Sequence, residues 1–157
     1  MLRLVLIAAS NRQPAWVEAG YAEYAERLRG RCKLELKVVP LARRSGSSSA
    51  ERALADEGAR MARAIPAGAQ VVALAEAGKP LSTKDLAAKL ERWAERGAPV
   101  ALLLGGPDGL GADALARATE RWSLSPLTLP HGLARVVIAE ALYRAWSLLG
   151  NHPYHRA

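Results

Sequence analysis

The chain has a single cysteine, Cys32, and only three histidines among its 157 residues. One cysteine excludes an internal disulfide and any cysteine-based metal cluster. No apolar run approaches the ~20 residues of a membrane-spanning helix. The opening MLRLVLIAAS has almost no basic leader, and its apolar residues run straight into NRQPAW. A buried first strand is expected there, not a signal peptide, and the cytoplasm is the expected location. There is no internal repeat. The glycine-rich stretches match neither the dinucleotide fingerprint nor the GxxxxGK[ST] phosphate loop. Only LARRSGSSSA (41–50) is compositionally biased, and it reads as a polar, mobile loop.

What is present suits one domain, 1–157, long enough for a real core. The formal charge is +7, from 22 Lys and Arg against 15 Asp and Glu. Such an excess serves solubility or attracts a polyanion such as RNA. Arg43 and Arg44 open the 41–50 loop, while Arg121, Arg135, Arg144 and Arg156 fall in the last third. That asymmetry favours a basic surface built mainly by the C-terminal third.

LRLVLIAA (2–9) reads as a strand buried on both faces, the parallel-sheet type. Pro14 then marks a helix start, with Trp16, Val17, Tyr21, Tyr24 and Leu28 at helical spacing. KLELKVV (33–39) alternates and belongs nearer a sheet edge. Residues 50–65 form a helix with Leu54, Gly58, Met61 and Ile65 inward and charges opposite. AQVVALA (69–75) is a third strand and EAGKP a turn. Ser82 with Asp85 approximates a capping box, and Gly97 stops the helix that follows. PVALLLGG (99–106) is a fourth strand, and a short helix covers about 112–119. WSLSPLTLPHG (122–132) is a strand or extended loop, and 131–150 is the last helix. Strand–helix alternation argues for an α/β fold with a mostly parallel sheet and helices on both faces. Ligands of such sheets sit beyond the carboxyl ends of the strands, so the loops at 76–80, 105–111 and 125–130 are the places to look.

Three stretches carry chemistry. In LLLGGPDGLG, Gly105 and Gly106 make either a tight strand-to-helix turn or a wall for a nucleoside-like ligand. In SPLTLP, Pro126 and Pro130 stiffen an extended backbone and lack N–H groups. Leu127, Thr128 and Leu129 keep theirs; they serve an edge strand or read the polar edge of an adenine. The last helix is apolar around nearly all its circumference, with Glu140, Arg144 and Ser147 as a polar stripe and Arg135 apart. It must bury two sides. The second side meets either other helices of the same chain or a second copy, as in a two-fold homodimer.

GGPDGL, WSLSPLTLPHGLARVVIAEALYRAW and NHPYHR, in that order, resemble the SPOUT methyltransferases. Within them the chain is similar to the small ribosomal RNA large-subunit methyltransferase H family. The resemblance runs from strand 2–9 to the tail and is strongest over 99–156; 30–65 match only in pattern. It implies an enzyme that methylates N3 of a pseudouridine in 23S ribosomal RNA, within the ribosome. It also implies a deep trefoil knot over about 99–150, one of the rare exceptions to unthreaded chains. S-adenosylmethionine would bind in that knot against Leu74, Ala75, Gly105, Gly106, Ser125, Pro126, Leu127, Thr128, Leu129 and Pro130. The implied assembly is a homodimer packed through the knot and the last helix.

In such a dimer the tail 151–157 of one subunit covers the other's cofactor, and Tyr154, His155 and Arg156 complete the substrate site in trans. Methyl transfer from a sulfonium needs an in-line nucleophile and no metal. The ring nitrogen must lose its proton, so a base or a nearby cation helps. Arg156 or Arg144 would contact phosphate or the developing anion, and Tyr154 would stack on the base. His155 or His131 would aid proton removal, although His131 serves equally as a helix N-terminal cap. Two other readings remain at this stage: a non-catalytic ribosome-binding factor using Arg43, Arg44 and the C-terminal arginines, and a ribose methyltransferase of transfer RNA.

Overall fold

The computed structural model describes residues 1–44 and 49–156; the side chains at 49, 155 and 156 lie outside it, as does part of the 41–50 loop. Five strands make one parallel sheet: β1 (Leu2–Ala9), β2 (Cys32–Val39), β3 (Gln70–Pro80), β4 (Val100–Leu104) and β5 (Glu120–Ser123). Their spatial order is β2-β1-β4-β3-β5. All four pairings are parallel. The helices are α1 (Ala15–Arg27), α2 (Ser49–Ala64), α3 (Thr83–Arg96), α4 (Ala112–Arg117) and α5 (His131–Leu149). None of the described helices is long and apolar enough to cross a membrane.

The period-2 geometry of a strand sends its apolar residues to two cores. Leu2, Leu4, Leu6 and Ala8 of β1 join Leu102 and Leu104 under α1, α3 and α5. Val5, Ile7 and Ala9 join Ala101 and Leu103 under α2 and α4. Both faces of β1 and β4 are therefore covered, which is why these strands read as continuous apolar runs. Each fully buried leucine contributes on the order of 2 kcal/mol. β2, at the edge, is only half buried, as its alternating charges require.

The capping box is present: Ser82 Oγ accepts from the Asp85 N–H at 3.1 Å, and Asp85 Oδ2 accepts from the Ser82 N–H at 3.2 Å. Gly97 ends α3 in the left-handed region, with φ +77°. Other expectations change. EAGKP is not a turn; β3 continues through it, bulges between Leu74 and Lys79, and pairs again with Trp122 and Ser123. Gly78 permits this, because a Cβ there would stand 2.5 Å from the Trp122 backbone. Trp16, although at helical spacing, is exposed. On α2 the inward face carries Glu57, 1 % exposed, while Leu54 is only half buried. β5 is shorter than 122–132; it ends at Ser123 and gives way to an irregular loop, 124–130.

α5 lies on the sheet between α1 and α3. Its stripe of Leu133, Val137, Glu140, Ala141, Arg144 and Leu148 stays partly exposed. Arg135 and Ser147, polar in sequence, are buried. After α5, Asn151 takes φ +56°. The His152 N–H then returns to the Ser147 carbonyl at 2.8 Å. This C-terminal cap turns the tail back onto α5, where a 3-10 turn, Pro153–Arg156, is seated.

Candidate active site

The bulge of β3 and the carboxyl ends of β4 and β5 converge on one cleft of about 80 Å³. It is lined by Leu74 and Ala75 of β3, Leu104 of β4, Ser125, Leu127 and Leu129 of the loop, and Ala134 of α5, among others. Five residues singled out from sequence therefore meet there: Leu74, Ala75, Ser125, Leu127 and Leu129. Pro126, Thr128 and Pro130 belong to the same loop without lining the cleft. Gly105 directly follows the lining Leu104. Gly106 faces elsewhere: a Cβ on it would meet Leu41 and the Ala9 carbonyl.

Two serines shape the loop. Ser123 Oγ donates to the Ser125 carbonyl at 3.0 Å, and Ser125 Oγ accepts from the Leu127 N–H at 2.9 Å. Pro130 is the N-cap of α5, its carbonyl accepting from Ala134 N–H at 2.9 Å. Among the described residues, the Thr128 and Leu129 amides donate to nothing. Leucine faces beside free backbone amides fit a flat heteroaromatic ring with a polar edge. The volume is far below the ~300 Å³ at which ligand clefts begin. One chain therefore offers a trough, and a nucleoside-sized ligand would stand partly proud of it.

His131 opens α5. Its Nδ1 lies 3.0 Å from the Gly105 carbonyl, and its Nε2 lies 3.1 Å from Arg135 Nη2. Burial lowers its pKa and so does the Arg135 charge, while the Gly105 carbonyl pulls upward.

The other candidates sit at the far end of α5. Arg144 donates from Nε to Glu140 at 2.8 Å, and Tyr154 donates its hydroxyl to the same carboxylate at 3.2 Å. The Tyr154 ring stands edge-on to Tyr143, with centroids 4.7 Å apart, and carries the Arg144 and Arg27 guanidinium groups at 5.1 and 5.9 Å. Burial, a bond with Tyr24 and the Glu140 charge raise the Tyr154 pKa, so its phenol stays protonated at neutral pH and acts as a donor. The His155 and Arg156 side chains lie outside the described residues.

A more open groove at the ends of β1, β2 and β4 holds Asn11, Leu41, Arg43, Arg44 and Asp108. Arg44 is committed there: it donates to Glu57 at 2.7 Å and to Asp108 at 2.9 Å. Sequence reasoning missed both Glu57 and Arg135; the only local signal was an arginine standing apart from the polar stripe of α5.

The family model described as "Predicted SPOUT methyltransferase" matches residues 2–155. Ribosomal RNA large subunit methyltransferase H of Alkalilimnicola ehrlichii is 54 % identical over 99 % of this chain and 100 % of its own length. The protein of that name from Thioalkalivibrio sulfidiphilus is 52 % identical over 99 % of each chain. That from Methylococcus capsulatus is 49 % identical over 99 % of this chain and 100 % of its own.

Proposed function

Because the chain belongs to the SPOUT methyltransferase family, we propose that it methylates N3 of a pseudouridine in 23S ribosomal RNA on the assembled ribosome, using S-adenosylmethionine. The observation that carries this is the cleft at the bulge of β3 and the carboxyl ends of β4 and β5, with leucine faces and the free amides of Thr128 and Leu129. Those groups would hold the adenosine portion. When bound, the cofactor supplies an electrophilic methyl on a sulfonium. No metal is required.

The chain works as a single domain, 1–157, with the knot over about 99–150, and as a homodimer in the cytoplasm. The partly exposed stripe of α5 is the second side that a dimer would bury. The shallow trough of one chain supports a site completed by another. So does the tail: Tyr154 is seated beside Glu140, nine residues along α5 from His131, a rise of roughly 13 Å. Tyr154, His155 and Arg156 therefore serve the partner's cleft. Tyr154 stacks on the base and donates. Arg144 and Arg156 favour the imide anion, and His155 accepts its proton. A target in the assembled ribosome would be recognised through shape and phosphates more than through base reading.

Calorimetry with S-adenosylmethionine, then incubation with ribosomes from cells lacking the protein and mass analysis of the 23S RNA, tests this. One methyl on one pseudouridine is expected. Ribosome binding without cofactor binding would make the chain a binding factor instead.

A further inference from the structure

We infer that His131 is a positioning residue, not a proton acceptor: it is a neutral strut between the end of β4 and the start of α5, its tautomer set by Arg135. This rests on the cofactor reading of the cleft. A carbonyl oxygen only accepts, so the Nδ1 facing Gly105 carries the hydrogen and donates. A guanidinium only donates and stays charged, so the Nε2 facing Arg135 Nη2 is the lone-pair nitrogen. Both ring nitrogens are thus committed, and neither is left to take a proton from a substrate.

Arg135 is unusual in its own right. It is 3 % exposed, and among the described residues it makes no ion pair and its Nε has no partner. The α1 groups that act on it electrostatically are the Tyr21 phenol and the Glu18 carboxylate. Burial lowers even its pKa. A buried cation one turn along the helix opposes protonation of the imidazole, and burial of the ring acts in the same direction.

The strut ties together the chain segments on two sides of the cleft. Gly105 follows the lining residue Leu104, and His131 stands between the loop 124–130 and the lining residue Ala134. Gly105 cannot shift freely, because its α-carbon packs on the Gly109 carbonyl, 2.3 Å from where a Cβ would stand. The bond therefore fixes two walls of the cleft relative to each other. Proton removal falls to groups outside this cluster.

The test joins NMR with conservative substitution. In the full-length protein without ligand, ¹⁵N-detected imidazole spectra should show a neutral Nδ1–H tautomer for His131 from pH 6 to 8, and mixed tautomers in R135M. Asparagine puts an amide N–H where Nδ1–H stands; glutamine and alanine do not. Calorimetry with S-adenosylmethionine should show affinity reduced about tenfold in H131A and H131Q, and restored to within about threefold in H131N. The acid limb of the kcat profile should keep its midpoint in H131N. An Nε2–H tautomer, or titration near neutral pH, would overturn the inference. So would normal cofactor affinity in H131N with kcat down ~10²-fold or more, the loss expected of a general base. If the unsubstituted protein itself does not bind the cofactor, the functional reading fails while the tautomer still decides the role of His131.

Discussion

The Tyr154 hydroxyl donates to Glu140, and the same carboxylate holds Arg144. One acidic side chain thus seats the tail on the distal half of its own α5, away from its own cleft. On the proposed function, a tail so placed would roof a neighbour's site. Two defective chains should therefore rescue each other: Tyr154→Ala lacks the roof, and Leu127→Asp puts a charge into the apolar cleft. Mixed and reannealed in equal amounts, half the dimers are hybrids with one intact site, so activity should return to about a quarter of wild type. Rescue to zero, with hybrids verified by mass, would place the tail over its own chain's cleft.

The Glu57–Arg44 contact is a clasp between α2 and the segment that leads into 45–48. The buried carboxylate accepts from the Ala42 N–H at 2.9 Å as well as from Arg44. Removing the cation strands a charge that is 1 % exposed. Arg44→Met should cost about 2–3 kcal/mol in urea unfolding, somewhat below the loss for a fully buried pair because Arg44 is a quarter exposed. Asp108→Asn should cost well under 1 kcal/mol, since that partner is nearly half exposed. Adding Glu57→Leu to Arg44→Met should recover much of the loss. Equal costs for the two single variants would show that the clasp is not a buried-charge effect.

Gly105 and Gly68 separate two reasons for glycine. Gly68 has φ +75° and open space around it, so alanine there meets only backbone strain, about 1 kcal/mol. At Gly105 a Cβ would lie 2.3 Å from the Gly109 carbonyl, and backbone must move. Gly105→Ala should therefore cost more than Gly68→Ala and also weaken cofactor binding, which Gly68→Ala should leave alone. Thermal unfolding and calorimetry together check both halves.

The elements coded by local pattern were legible in sequence. The continuous apolar runs of β1 and β4, the Ser82–Asp85 box and the Gly97 stop each state their own geometry. Features that depend on distant partners were not. EAGKP looks like a turn until β5 arrives to pair with Lys79 and Pro80, with Gly78 letting its backbone close in. Glu57 sits where helical periodicity admits either face; what holds it inward is Arg44, thirteen residues away. Of the site, the SPLTLP stretch marked Ser125, Leu127 and Leu129 and the family resemblance implied Leu74 and Ala75, and these five line the cleft. The His131–Arg135 pairing needed the structure, because helical spacing alone does not say that Arg135 is buried against α1.

Tyr21 offers a pH test of that same α1–α5 contact. Its phenol is buried without a hydrogen-bond partner among the described residues. Burial pushes its pKa up to about 12, opposed by the Arg135 charge. The folded value exceeds the unfolded ~10, so the unfolded state releases the proton first as pH rises. Stability tied to this group is complete below pH ~10 and is lost as pH rises through the folded value of about 12. A two-unit difference corresponds to a loss on the order of 2–3 kcal/mol. Tyr21→Phe removes both the titration and an unsatisfied hydroxyl. It should be at least as stable as wild type at pH 8, by up to ~1 kcal/mol, and its lead should widen steadily in urea melts at pH 10 and 11. Parallel pH dependence in the two proteins would mean that the phenol reaches solvent, or a partner, beside Arg135.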